Sequence, residues 1–62
     1  MRKIRKYQLE MLNEANGRRF WYPQTKPMTM YHTVNHLDKE LKRNEDLKAF
    51  GLPERIFRIV SV

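Results

Sequence analysis

The sequence contains no cysteine, only two glycines and no long apolar run. A chain without cysteine forms neither disulfides nor thiolate metal sites, which fits a reducing compartment. No stretch approaches the ~20 apolar residues that span a bilayer, and no apolar segment follows the basic N-terminus as it does in a secretory signal. We therefore expect a cytoplasmic protein that has no membrane partner.

Motifs for catalysis are also missing. The chain has no nucleophile elbow, no glycine-rich phosphate loop and no pair of carboxylates spaced for a catalytic cleft. A fold of 62 residues also leaves little room for a ligand pocket of ~300 Å³ or more. We predict that the chain is not an enzyme and that it binds no cofactor.

The length of 62 residues allows one domain, spanning residues 1–62. A domain of this size buries only about 60% of the surface that its unfolded chain exposes, so its stability is marginal. A homodimer is therefore one expected way to bury more surface. The sequence has the character of a complete short reading frame, of the kind common in phages and mobile elements.

The net charge is +6 and is unevenly distributed. Residues 1–28 carry seven Lys or Arg and two acidic residues, a balance of +5, whereas residues 29–62 carry six and five, a balance of +1. Such an asymmetry favours a polyanionic partner, either nucleic acid or an acidic protein surface. The alternative is that the basic surface serves solubility alone.

The N-terminal segment has the spacing of an amphipathic helix. A helix over residues 3–15 would end at Gly17, which follows Asn16. Residues 1–3 would form a flexible arm if they do not join the helix. The apolar face of this predicted helix consists of Ile4, Tyr7, Met11, Leu12 and Ala15.

Residues 18–22 predict a short strand that ends at Pro23, followed by a loop over residues 23–28. Alternation along the strand places Phe20 and Tyr22 on one face, where we expect them in the core. The opposite face then carries Trp21 with Arg19.

Residues 29–43 predict the clearest helix, with Thr29 as its N-cap. Its apolar stripe comprises Met30, Val34, Leu37 and Leu41. The stripe then loses its phase, and Asn44 is expected to cap a new short helix that ends at Gly51 and Pro53. Residues 55–62 are rich in β-branched side chains and predict a strand that pairs antiparallel with residues 18–22.

These elements predict an α+β domain in the order helix, strand, helix, short helix, strand, with a two-stranded antiparallel ribbon. The stretch from Thr33 to Leu41, with Val34 and Leu37 between them, resembles the recognition-helix segment of winged-helix domains. The resemblance covers about fifteen residues and implies DNA binding through that helix. The chain departs from the pattern, because little room precedes this helix and nothing after Val62 completes a wing, so we assign no family on it.

The leading functional hypothesis is a small basic regulator that binds nucleic acid, with DNA favoured over RNA. Asn and Arg read base edges in the major groove, Lys and Arg hold phosphates, and cations interleaved with aromatic rings can bind a single strand. Ordinary solvated surface is the alternative for each cluster. The candidate residues are Arg2, Lys3, Arg5, Lys6, Arg18, Arg19, His32, Asn35, Lys39 and Arg43.

A protein-binding module, acting as an inhibitor or adaptor of a larger host protein, is the second hypothesis. It would use the aromatic strand and the edge of the C-terminal strand. Its contact residues would be Trp21, Tyr22, Phe57 and Ile59. His32, His36 and Glu40 share a helical stripe, but no thiolate accompanies them, so we expect no metal site.

Overall fold

The computed structural model describes residues 5–62, which form three strands and one helix. Strands β1, β2 and β3 build an antiparallel sheet in the order β2–β1–β3, and helix α1 lies against β1 and β3 on one face. The α+β class is confirmed. The elements are β1 (Tyr7–Ala15), β2 (Arg18–Pro23), α1 (Met30–Ala49) and β3 (Phe57–Ser61).

A β-hairpin occupies the segment for which we predicted the first helix. Ala15 pairs with Arg18, so the loop between β1 and β2 contains only Asn16 and Gly17, with φ angles of 53° and 77°. Positive φ at both loop residues defines a type I′ turn, for which Asn-Gly is the strongest short sequence signal. The interpretation of Gly17 as a helix stop was therefore wrong.

The central strand β1 is explained by the alternation of its side chains. Tyr7, Leu9 and Met11 share the face that α1 covers, and Leu9 is only 1% exposed. The apolar residues of this segment fit both the helical spacing used in the prediction and the period of two of a strand. The strand is formed because its backbone pairs with β2 on one side and with β3 on the other.

Helix α1 begins where the sequence predicted it to begin. The Thr29 side chain accepts a hydrogen bond from the backbone N–H of His32, as an N-cap does. The predicted break at Asn44 is wrong, because α1 continues to Ala49 and the Asn44 side chain is buried against the following segment. The described residues therefore hold one helix rather than three.

The C-terminal end of α1 is a Schellman motif. The N–H of Gly51 donates to the carbonyl of Lys48, and the N–H of Leu52 donates to the carbonyl of Leu47. Gly51 has a φ of 74°, the left-handed conformation that this motif requires. The prediction that Gly51 ends the helix is confirmed.

The C-terminal strand is confirmed, but its predicted partner was wrong. β3 pairs antiparallel with β1, with Leu9 opposite Ile59 and Met11 opposite Phe57. Because β2 also pairs with β1, the expected two-stranded ribbon is a three-stranded sheet.

The core beneath α1 is small. Leu9 is the one fully buried hydrophobic side chain among residues 5–62, and it is accompanied by Thr33, which is 0% exposed. Of the predicted apolar stripe, Leu37 is half-buried, whereas its other members are exposed. The side of α1 toward the sheet is instead the line of Thr33, Leu37, Glu40, Asn44 and Leu47. Within the described residues, α1 lacks the apolar character of a membrane-crossing helix.

Candidate nucleic-acid interface

Strand β2 lies outside the cover of α1, which approaches only β1 and β3. Phe20 pairs with Asn13 and Tyr22 pairs with Met11, so both aromatic side chains are on the helix side of the sheet. Phe20 is nevertheless 44% exposed and Tyr22 is 60% exposed. The expectation that these rings belong to the core was wrong, because the single helix is too narrow to cover the third strand.

The opposite face of β2 carries an interaction that joins all three strands. The Arg58 guanidinium of β3 lies 4.2 Å from the centre of the Trp21 ring. Its Nε donates a hydrogen bond of 2.7 Å to a carboxylate oxygen of Glu10 on β1. One face of the Trp21 ring is therefore occupied by a cation that is itself neutralised.

Arg18 and Arg19 are both exposed at the start of β2 and lie on opposite faces of the sheet. Arg18 shares the helix side with the two exposed rings, and Arg19 shares the other side with Trp21. Side chains two residues apart on a strand are separated by about 6.8 Å. Residues Arg18, Phe20 and Tyr22 thus form an evenly spaced row of one cation and two rings.

The residues of α1 predicted from sequence to bind nucleic acid are all exposed, and most lie on one flank of the helix. At 3.6 residues per turn, His32, His36, Lys39 and Arg43 fall within an arc of about 60° beside the buried line. Asn35 points farther outward. Arg43 makes an ion pair of 3.8 Å with Glu40, which at this exposure holds its guanidinium only weakly.

The basic N-terminal segment is described only in part. Arg5 and Lys6 are exposed immediately before β1. Arg2 and Lys3 lie outside the described residues.

The four residues of the protein-binding hypothesis do not form one surface. Phe57 and Ile59 are half-buried on the side that faces α1, whereas Trp21 lies on the opposite face of the sheet. Tyr22 lies on the helix side but two strands away from β3.

The described residues also form two surface depressions. A depression of about 540 Å³ next to the hairpin is lined by charges of both signs, including Glu14, Arg19, Glu54 and Arg55. A second, of about 240 Å³, lies against the C-terminal end of α1. Across residues 5–62, no three His, Asp or Glu side chains converge as metal ligands.

The roles of Arg58 and Glu10 escaped the sequence analysis. The signal available was alternation in the last strand, where Arg58 interrupts an apolar series and so belongs to the face away from the helix. Its partner Glu10 followed only from the register of β1 against β3.

Comparison with protein-family models, curated proteins and solved structures gives no significant match to this chain.

Proposed function

We propose that this chain binds single-stranded nucleic acid, with DNA as the first form to test, in a trough between β2 and the flank of α1 that carries His32, His36, Lys39 and Arg43. The observation that carries the proposal is the exposure of Phe20 and Tyr22 on the helix side of β2. A small protein with so little core gains no stability from leaving two rings in water, and stacking on bases gives those rings a partner.

The direction of the helix connection supports this assignment. α1 connects β2 to β3, which are parallel to each other because both are antiparallel to β1. Such connections are right-handed in nearly all proteins. A right-handed connection turns the flank of His36 and Arg43 toward β2 and turns the opposite flank toward the outer edge of β3. The trough then has the two rings on its floor and Arg43 with the histidines on its wall.

The distribution of acidic residues favours the helix side of the sheet over the opposite face. Glu10 pairs with Pro23 and Glu14 pairs with Arg19, so both carboxylates of β1 point away from the trough. On that opposite face they would repel phosphates, whereas on the helix side Arg18 meets no carboxylate from the strands.

A winged-helix-like mode, in which α1 enters the major groove of a duplex, is the alternative within nucleic-acid binding. It would use Asn35 and Lys39 on the outer side of α1. Asp38 and Asp46 are also exposed on α1 outside its buried line and would meet phosphates. A titration that compares single strands with duplex DNA distinguishes the two modes, because only the winged-helix-like mode prefers the duplex.

The test is a fluorescence-anisotropy titration of labelled oligothymidine, oligouridine and mixed-sequence duplex at several salt concentrations. We expect single strands to bind more tightly than the duplex, with an affinity that falls linearly on a log–log plot against salt. Tyr22→Ala should weaken binding by about tenfold, because stacking contributes about 1–3 kcal/mol per base.

The matched control is Tyr31→Ala, which removes an exposed tyrosine from the outer side of α1. It should leave the affinity unchanged. Equal losses in the two variants would contradict the site, and the absence of binding at low salt would contradict the function. A preference for duplex DNA would replace the trough with the outer side of α1.

A further inference from the structure

The two outer edges of the sheet differ in their capacity to accept another strand. The backbone N–H of Gln24 donates to the carbonyl of Leu9. The N–H and C=O groups of the even-numbered residues of β2 therefore point toward β1, and those of the odd-numbered residues point outward. The outward set includes Pro23, which has no N–H and interrupts that edge. β2 is therefore a poor template for strand addition.

The outer edge of β3 is open. The backbone N–H of Leu12 donates to the carbonyl of Ile56, and the N–H of Val62 donates to the carbonyl of Lys6. The N–H and C=O groups of the even-numbered residues of β3 therefore point toward β1. The backbone groups of the odd residues Phe57, Ile59 and Ser61 therefore point outward. No intrachain backbone bond to this edge occurs among residues 5–62. An unprotected edge of β-branched residues is a template for another strand.

We infer that β3 pairs antiparallel with β3 of a second copy, so that the protein is a two-fold symmetric dimer with a continuous six-stranded sheet. One register uses all three outward residues, with Ile59 opposite Ile59 and Phe57 opposite Ser61. It forms about six cross-copy hydrogen bonds, two for each of the three pairs. The contact is isologous, as most homodimer contacts are.

The helices fit the same arrangement. Each α1 lies over β1 and β3, and strands are spaced by about 4.8 Å, so the two helices would run side by side about 10 Å apart. A right-handed connection, the rule for such crossovers, would turn one apolar flank of each helix toward the other. Its apolar members are Met30, Val34 and Leu41, which are 43%, 38% and 48% exposed, and the exposed Lys48 lies on the same line near the C-terminal end of α1.

The chain exposes more surface than a compact monomer of its mass. The whole chain exposes 5551 Å², whereas a compact monomer of 7.6 kDa exposes about 4,300 Å². The difference, about 1,250 Å² over the whole chain, exceeds the about 800 Å² that a standard interface takes from each partner.

Charge does not oppose self-association at this edge. Arg58 is the only ionic residue of β3, and it is bonded to Glu10 within its own chain. In the proposed register Arg58 lies opposite Val60 of the second copy, so no like charges face each other directly. A strongly basic chain can thus meet its copy here without strong repulsion.

The first test is sedimentation equilibrium of the full chain from micromolar to millimolar concentration. We expect a mass of twice 7.6 kDa for the wild type. Ser61→Pro removes an outward N–H and should shift the dissociation constant at least tenfold toward monomer, whereas Ser61→Ala keeps the N–H and should not. Val34→Lys should also dissociate the dimer, whereas its neighbour Asn35→Lys, on the outer side of α1, should not.

A cysteine pair tests the register directly, because the chain has no native cysteine. Ile59→Cys places two thiols on the two-fold axis, with Cα atoms about 5.5 Å apart, within the range of a disulfide. Under mild oxidation it should give a covalent dimer, whereas Ser61→Cys, which faces Phe57 of the second copy, should form no covalent link although it still dimerises.

A monomer at millimolar concentration would overturn the inference. A dimer that persists in both Ser61→Pro and Val34→Lys would show that the interface does not lie at the edge of β3. Neither result bears on nucleic-acid binding, since Ser61 and Val34 lie outside the trough, and circular dichroism of each variant separates dissociation from unfolding.

Discussion

The side chain of Asn44 makes both hydrogen bonds that a neighbouring strand would make to Arg55. Its amide nitrogen donates to the Arg55 carbonyl at 2.8 Å, and its amide oxygen accepts the Arg55 N–H at 3.0 Å. Asn44 is only 7% exposed. A residue in the middle of α1 therefore closes the sheet edge at Arg55 and fixes the helix to the segment that leads into β3.

Asn44→Ala should lower the free energy of unfolding by about 1–2 kcal/mol, because it leaves two backbone groups of Arg55 without their partner. Alanine also raises helix propensity by a fraction of a kcal/mol. Asn35→Ala on the exposed side of α1 is the matched control, because it gains the same helix propensity without removing a bond to Arg55. Urea denaturation of both variants gives the difference, and equal stabilities would contradict the role of Asn44.

Gly17→Ala should destabilise the hairpin by about 1 kcal/mol, because Gly17 has a φ of 77° and an alanine there adopts the left-handed region. No atom lies within 4 Å of the position that its Cβ would take, so the cost is conformational rather than steric. Gly17→Asn, which tolerates this conformation, should be closer to neutral. Thermal unfolding checks the order, and an alanine variant as stable as the wild type would refute it.

Arg58→Ala should shift the fluorescence emission of Trp21 to the red, because it uncovers the ring face on which the guanidinium lies. The loss of stability should be only about 0.5–1 kcal/mol, since the Arg58 side chain is 45% exposed and its ion pair with Glu10 is screened. Arg58→Met keeps an apolar cover and should shift the emission less. An unchanged emission spectrum in Arg58→Ala would contradict the stacked geometry.

Arg18→Gln should reduce the salt slope of single-strand binding by about one, because one phosphate contact is lost. Arg19→Gln removes the same charge one residue away but on the opposite face of the sheet, so it should change the slope less. Anisotropy titrations at four salt concentrations give both slopes. A larger effect from Arg19 would move the site to the face of Trp21.

The sequence predicts the parts of this fold that local chemistry dictates. Thr29 starts α1, Gly51 ends it, and Pro23 ends β2, as their capping and backbone preferences require. The hairpin was also readable from Asn16 and Gly17, but the same dipeptide marks helix ends, and the helical spacing before it decided the interpretation wrongly.

The pairing of the strands and the part of the sheet that α1 covers could not be predicted from local sequence. The partner of β3 depends on which strand occupies the centre of the sheet, and this follows from β1 being a strand. The exposure of Phe20 and Tyr22 depends on the lateral position of α1, which no local pattern encodes. The buried Asn44 resembled an N-cap because its tertiary partner Arg55 is 11 residues away.

The most direct test of the proposed function is a titration of the ¹⁵N-labelled chain with oligothymidine at low salt, followed by amide chemical shifts. We predict the largest shifts at Phe20, Tyr22 and His36, which line the proposed trough, with little change at Trp21 and Tyr31. Shifts confined to Trp21 and its neighbours on the opposite face, or to the outer side of α1, would contradict the site, and unchanged spectra would contradict nucleic-acid binding.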